Sequence, residues 1–198
     1  MVDYTITILD ISCKGLTKLP NDIDKYTNLK TLNCSNNQLT SLDNLPQNLE
    51  NLECDNNLLT SLDNLPPTLE ILHCSNNNIT SLDNLPPNLK NLDCFYNKIT
   101  SLDNLPLTLE KLDCSLNKIT SLDNLPPNLK ELDCHCNNLT SLDNLPPTLE
   151  ILKCWNNQIT SLDNLPPKLE DLNCYDNQLK YHFKATLENI RNYNASQI

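Results

Sequence analysis

Apolar residues recur along this chain at intervals of twenty. In the stretch from Leu29 to Asn48 they stand at Leu29, Leu32, Cys34, Leu39, Leu42 and Leu45, and units of the same pattern start at Leu49, Leu69, Leu89, Leu109, Leu129, Leu149 and Leu169. Leu32 and Cys34 are two apart, which predicts a short strand with those side chains on one side and Thr31, Asn33 and Ser35 on the other. The residues from Thr40 to Asn48 must then bring the chain back. They contain the hexapeptide SLDNLP, which begins at Ser41 and again at Ser61, Ser81, Ser101, Ser121, Ser141 and Ser161. Pro46, and Pro67 or Pro87 in later units, fix φ and remove backbone donors, so the return is expected to be extended or polyproline-like. It is too short for a useful helix. Each unit is thus one turn of a coil whose strands stack in parallel about 4.8 Å apart. The six apolar positions fill the interior as columns that only neighbouring units can bury.

Asn37 recurs as Asn57, Asn77, Asn97, Asn117, Asn137, Asn157 and Asn177. The chain turns inward here and leaves backbone groups without a ladder partner. An amide that both donates and accepts can satisfy them, and stacked amides can also bond one another. The two ends differ from the array. A divergent unit runs from Ile6 to Asn28 through Leu9, Ile11, Leu16 and Leu19, with Lys14 at the Asn position. Phe183, Leu187 and Ile190 fall at i, i+4 and i+7, which predicts an amphipathic helix over roughly 183–193 with a frayed tail from Asn192 to Ile198. The chain therefore divides into a divergent first repeat and cap (1–28), eight twenty-residue repeats (29–180) and a C-terminal capping helix and tail (181–198), as one continuous domain.

The pattern LxxLxCxxNx(I/L) resembles the leucine-rich repeat, and the resemblance covers nearly all of the chain. The twenty-residue period with its "LPxxL" return is similar to the short repeat of bacterial effector proteins. "LTSLDNLPPxLExLxCxxN" resembles most the repeat proteins of giant amoeba-infecting DNA viruses, and Leu19-Pro-Asn-Asp-Ile23 resembles a longer repeat type. The resemblance implies a right-handed superhelical solenoid with a parallel β-sheet on the concave side and the returns on the convex side. It implies protein–protein binding, and a host-directed role if the viral likeness holds. Effectors with similar repeats can carry a ubiquitin-ligase domain with a CxD cysteine. Cys174-Tyr-Asp176 matches those letters, but it stands at the ordinary repeat position and only about twenty residues follow, so no enzyme is expected.

Composition narrows the function classes. The net charge of −11 argues against nucleic acid, which needs cationic side chains, and against an anionic membrane surface. No signal peptide or long apolar run is readable, so an intracellular, cytoplasmic location is expected, in the host cytoplasm for a viral protein. Ten cysteines are then expected as thiols. Asn78-Ile-Thr80, Asn138-Leu-Thr140 and Asn194-Ala-Ser196 fit the glycosylation sequon by chance of an Asn/Thr-rich repeat. A single glycine rules out a Gly-rich phosphate loop, and neither GxSxG nor HExxH occurs. No cofactor is expected.

Eight cysteines (34, 54, 74, 94, 114, 134, 154 and 174) share one inward column, where Cys packs as a small hydrophobe. Cys136 lies outside it, beside His135. His73, Asp113 and Asp133 share the outward side with His135, but Cys134 and His135 alternate in and out of the strand and cannot converge on zinc. The repeated Asp of the hexapeptide (43, 63, 83, 103, 123, 143 and 163) forms a convex column of carboxylates. Its bland reading is a turn in which each Asp-Asn pair bonds its own backbone, and its alternative is Ca²⁺ held between units.

Function is expected on the outward face of the strands, the side that can vary without disturbing the stack. From Ile71 onward that face gathers His73, Asp93, Phe95, Tyr96, Asp113, Asp133, His135, Lys153, Trp155 and Tyr175. Aromatic anchors beside carboxylates suit a protein or peptide with a basic and apolar segment. The expected species is a monomer, and the alternative is a structural, self-assembling repeat protein.

Overall fold

A computed structural model describes residues 2–196; Met1, Gln197 and Ile198, at the ends of the divergent unit and of the expected frayed tail, lie outside the described residues. Among the described residues nine three-residue strands form one parallel sheet in sequence order. They are β1 (Ile8–Asp10), β2 (Thr31–Asn33), β3 (Asn51–Glu53), β4 (Ile71–His73), β5 (Asn91–Asp93), β6 (Lys111–Asp113), β7 (Glu131–Asp133), β8 (Ile151–Lys153) and β9 (Asp171–Asn173), followed by a helix α1 (Leu187–Ala195). The register is unbroken, so Leu32, Leu52, Leu72, Leu92, Leu112, Leu132, Leu152 and Leu172 stand side by side. The divergent unit joins the same sheet through Leu9, and it carries a short 3-10 turn at Ile23–Lys25.

The inward columns are buried from Leu29 to Leu169 with the cysteines among them. The sixth column is looser, because Leu65, Leu85, Leu145 and Leu165 are only half-buried. Burial pushes the Cys34 thiol up to about 12, and it holds Cys54, Cys74, Cys94, Cys114 and Cys134 well above the ordinary thiol range. Several of these thiols donate to a carbonyl one unit on, as Cys94 does to Asp113 at 3.2 Å. A neutral, bonded thiol in an apolar interior is a packing group rather than a nucleophile.

The asparagine column knits successive turns together. Asn117 Nδ2 donates to the carbonyls of Cys94, Cys114 and Ser115 at 3.0–3.1 Å, and its Oδ1 accepts from the Ile99 amide at 2.9 Å. The same set recurs at Asn57, Asn77, Asn137 and Asn157. The amides of this column bond backbone and not one another, contrary to the stacked-amide expectation, because three carbonyls already converge on each Nδ2. At the divergent unit, Asn37 Oδ1 accepts from Lys14 and Leu16, so Lys14 is held by its backbone in place of an asparagine side chain.

Each unit from 29–48 to 129–148 takes two bends with φ in the left-handed region, and the chain has one glycine. Asparagine takes the role, at φ of 62–65° from Asn44 to Asn144 and at 53–57° in Asn36, Asn56, Asn76 and Asn156. At the second bend Tyr96, Leu116, Cys136 and Asp176 adopt the same conformation with φ of 51–53°. A bulky L-residue pays about 1–2 kcal/mol there, and asparagine much less. Leu116→Asn is therefore expected to raise stability by about 1 kcal/mol, seen as a higher urea midpoint at unchanged slope; a lower midpoint would show that the half-buried Leu116 side chain outweighs its backbone.

The return holds no helix and runs as extended residues broken by two turns. Thr68, Thr108 and Thr148 stitch it to the preceding unit, each hydroxyl donating to two carbonyls there. At the C-terminus the helix starts later than the 183–193 expectation. Thr186 is its N-cap, its hydroxyl accepting from the Asn189 amide at 3.3 Å, and Phe183 lies before the helix. Residues Asn192 to Ala195 are helical rather than frayed, because Asn194 bonds the Leu162 and Asp163 carbonyls and Arg191 the Leu169 carbonyl. Ile190 is buried against the last core layer. The helix thus takes the place where the next return would lie. Among the described residues no helix is long and apolar enough to cross a membrane.

Candidate functional site: a groove with an aromatic ridge

Strand position and register place the candidate residues in two groups. His73, Asp93, Asp113, Asp133 and Lys153 occupy one row across β4 to β8. With Asn91, Lys111, Glu131 and Ile151 they line a groove of about 250 Å³ on the outward face of the sheet. Phe95, His135, Trp155 and Tyr175 lie two residues further along, beyond the strand ends, and form a ridge beside it. Tyr96 follows Phe95 at its left-handed bend, and the two rings tilt against each other at 6.1 Å.

The groove is acidic and unevenly neutralised. Asp133 receives His135 Nδ1 at 2.5 Å and Lys153 Nζ at 3.3 Å. Lys111 is engaged by Glu131 at 2.7 Å. Asp93 accepts from the Phe95 amide and from the Ser75 hydroxyl, and Asp113 from the amide and hydroxyl of Ser115. Among the described residues neither Asp93 nor Asp113 has a cationic partner within ion-pair distance. Burial pushes the Asp113 carboxyl up, the Ser115 bonds pull it back, and the flanking Asp133 and Asp93 raise it further. Burial likewise raises Asp55, whose carboxylate accepts from the Ser75 amide at 2.7 Å.

The ridge is a stack. His135 and Trp155 lie parallel at 4.1 Å between ring centroids, and Trp155 and Tyr175 at 5.1 Å. Trp155, expected as an exposed anchor, is half-buried between its neighbours. The open aromatic surface belongs to Tyr96 and Tyr175, at 54% and 52% exposure. Equal repeat positions align these rings one strand apart, a spacing close to the thickness of a π-stack.

On the opposite side the hexapeptide builds a bracket across units. The Ser101 hydroxyl donates to Asp103 Oδ2 at 2.6 Å and accepts from the Asp103 amide, while Asn124 of the next unit donates to Asp103 Oδ1 at 3.4 Å. The Asp side chain thus bonds serine and a neighbouring asparagine, not its own backbone as the turn reading had it. Asn104 and Asn144 bridge to Asp83 and Asp123 in the same way, and the Ser81 and Ser121 bonds hold those carboxyls below the usual range. Amide donors interleaved with the carboxylates offset their repulsion. Among the described residues no group of three or more His, Cys, Asp or Glu could hold a metal ion. Millimolar Ca²⁺ or EDTA is accordingly expected to leave the Tm unchanged, since a ligand of the native state would raise it; a Ca²⁺-dependent rise lost in Asp103→Asn/Asp123→Asn would overturn this.

A second ladder escaped sequence reading. At the position before each strand Lys30 pairs with Glu50, Lys90 with Glu70 and Lys130 with Glu110, at 2.6–2.8 Å. The signal was a charge of either sign at one repeat position. Such exposed pairs contribute little stability.

Comparison with known proteins agrees with this geometry. A model of leucine-rich repeats in two copies matches residues 67–107 and 107–147, and a single leucine-rich repeat model matches 28–52, together more than half of the chain. No curated protein sequence matches. Among solved structures, YopM from Yersinia enterocolitica superposes with a TM-score of 0.83 at 36% identity, over 91% of this chain and 40% of that one. The functional domain of InlJ from Listeria monocytogenes, which includes a cysteine ladder, gives 0.79 at 40% identity, over 91% of this chain and 42% of that one. A Shigella effector repeat domain gives 0.69 at 29% identity, over 96% and 77%. This chain spans about two fifths of the length of the first two. No enzymatic domain is indicated by these matches.

Proposed function

This chain belongs to the leucine-rich repeat family, and from that premise we propose that it is a non-catalytic interaction module that binds a basic, partly apolar protein segment in the groove across β4 to β8. The observation that carries this reading is the pair Asp93 and Asp113. They stand on adjacent strands without a cationic partner among the described residues, in a groove where Asp133, Lys111 and Glu131 are all paired. A lysine or arginine of a partner supplies the missing charge, and Ile71 and Ile151 on the same face give its neighbours apolar contact. Excess negative charge on the whole molecule steers such a partner inward. The ridge from Phe95 to Tyr175 bounds the groove and sets which side chains fit beside the cation. Likeness of the repeat unit to those of bacterial effectors and giant viruses supports a role against host proteins in the cytoplasm.

Selection from a random peptide library on the immobilised protein tests this. Recovered peptides should be rich in Lys and Arg next to apolar residues, and they should not be recovered on Asp93→Asn/Asp113→Asn. Recovery of acidic peptides, or equal recovery on both proteins, would contradict it.

A further inference from the structure

Along the array each strand gives two amides to the next unit. The cysteine amide donates from Cys34 to the Glu53 carbonyl at 2.8 Å and so on to Cys154 and Asn173, and the residue two further on donates from Asn36 to Asp55 and so on to Asn156 and Tyr175. In return, Glu150 accepts both the Glu170 and Asp171 amides, at 2.7 and 3.1 Å. At β9 the series of amide bonds stops, while the Cys174 thiol donates to the Ala185 carbonyl at 3.7 Å, in the segment leading into α1. Among the described residues the Cys174 and Asp176 amides and the Glu170 carbonyl have no partner in this pattern. An unpaired strand edge left in this state is a template for another strand.

Three further observations converge on that edge. A cavity of about 580 Å³ runs between β9 and the segment leading into α1, bounded by Leu172, Cys174, Phe183 and Leu187. Leu172 is half-buried, whereas Leu32 to Leu152 in the same column are buried. The His135–Trp155–Tyr175 stack ends here with the outer face of Tyr175 open. Glu170, Asp171 and Asp176 line the cavity against one lysine, Lys184.

We infer that the β9 edge takes an extended basic peptide as a tenth parallel strand, with an arginine laid on Tyr175 as the next member of the aromatic stack. The register follows from the repeat. The peptide residue aligned with Asp171 faces that carboxylate and is basic. Residues aligned with Leu172 and Cys174 face inward and are apolar. The residue aligned with Tyr175 lies one strand spacing from its ring, the distance at which a planar guanidinium stacks on an aromatic face. Main-chain bonds supply affinity and alternate side chains supply selectivity, as in other strand additions. A second copy of this chain is a poorer occupant. It would offer β1 with Asp10 to an edge already acidic, in a molecule of net charge −11, and α1 covers the core layer on which it would have to stack.

The probe is the hexapeptide acetyl-Ser-Lys-Val-Thr-Val-Arg-amide, aligned from Glu170 to Tyr175, compared with the same peptide N-methylated at Ser and Lys. Binding is read by Trp155 fluorescence and by amide hydrogen exchange. The parent peptide is expected to bind, to slow exchange at Cys174 and Asp176, and to lose at least about tenfold in affinity on N-methylation; in Asp93→Asn/Asp113→Asn, which removes the hold of the groove on the same peptide, the slowed exchange at Cys174 and Asp176 should remain. Absence of binding at about 1 mM peptide would overturn the inference, as would equal binding of the N-methylated form. Binding that leaves Cys174 and Asp176 exchanging freely would place the peptide in the groove instead. Concentration-dependent association of the protein alone, with those two amides protected, would assign the edge to a second copy.

Discussion

Asn117→Ala is expected to lower the stability of the protein by about 3 kcal/mol, because one side chain serves four backbone groups of two successive turns. Its amide nitrogen holds the Cys94, Cys114 and Ser115 carbonyls and its oxygen holds the Ile99 amide, all in the interior. Alanine leaves these groups without their partners, at a cost of about 1–3 kcal/mol for each group that stays unpaired. Water entering the vacated polar space satisfies some of them, so the sum is not reached. Asn117→Asp should be as harmful, since a carboxylate can accept from Ile99 but cannot donate to carbonyls. Urea unfolding checks both variants; a loss below about 0.5 kcal/mol for alanine would reject the role given to this column. Because each repeat touches only its neighbours, the damage should centre on the turns at 94–117 before it spreads.

The groove carries the second large effect, and it has opposite signs for stability and for binding. Asp113 is raised by burial and by Asp133 and Asp93 beside it. In the window between its unfolded and its raised folded value, the folded state binds more protons than the unfolded state. Stability therefore falls as pH rises through that window, and at neutral pH the charged group is a cost. Asp113→Asn removes the charge and keeps the shape, so its Tm at pH 7 should exceed that of the wild type. The difference should shrink as pH falls through the folded-state value of Asp113. The same substitution, joined by Asp93→Asn, should weaken a basic partner at least about tenfold. A site that costs stability in the free protein and loses affinity when neutralised is one held for its ligand. A Tm that drops at pH 7 in Asp113→Asn would show instead that the bonds from Ser115 make the carboxylate structural.

The columns of Leu and Cys were legible in the sequence because period two marks the strand and period twenty marks the stack. The asparagine column was legible as a need for a donor and acceptor at one turn. Its full set of partners was not, since Asn117 bonds Cys114 and Ser115 of its own unit together with Cys94 and Ile99 of the unit before. The same reason hid the bracket of Ser101, Asp103 and Asn124, in which one carboxylate is shared by two units. Left-handed bends at Leu116 and Tyr96 could not be read from residues that disfavour them; only the asparagines at the equivalent positions carried the hint. In the candidate site the row of Asp93, Asp113 and Asp133 followed from register alone. Which of them is paired did not, because Lys153 reaches across a strand to Asp133 and His135 folds back onto it. Trp155 was placed on the right ridge but stacking on both faces took away its exposure. At the C-terminus the apolar spacing found the helix, while its start was set by Thr186 as the cap.

The measurement that bears most directly on the central claim is a titration of a library-selected basic peptide against wild type and Asp93→Asn/Asp113→Asn, each at low and high salt. Wild type should bind, lose affinity as salt screens the groove, and exceed the variant by at least about tenfold at low salt. Equal affinity of the two proteins, both folded, would mean that the outward groove is not where this chain meets its partner.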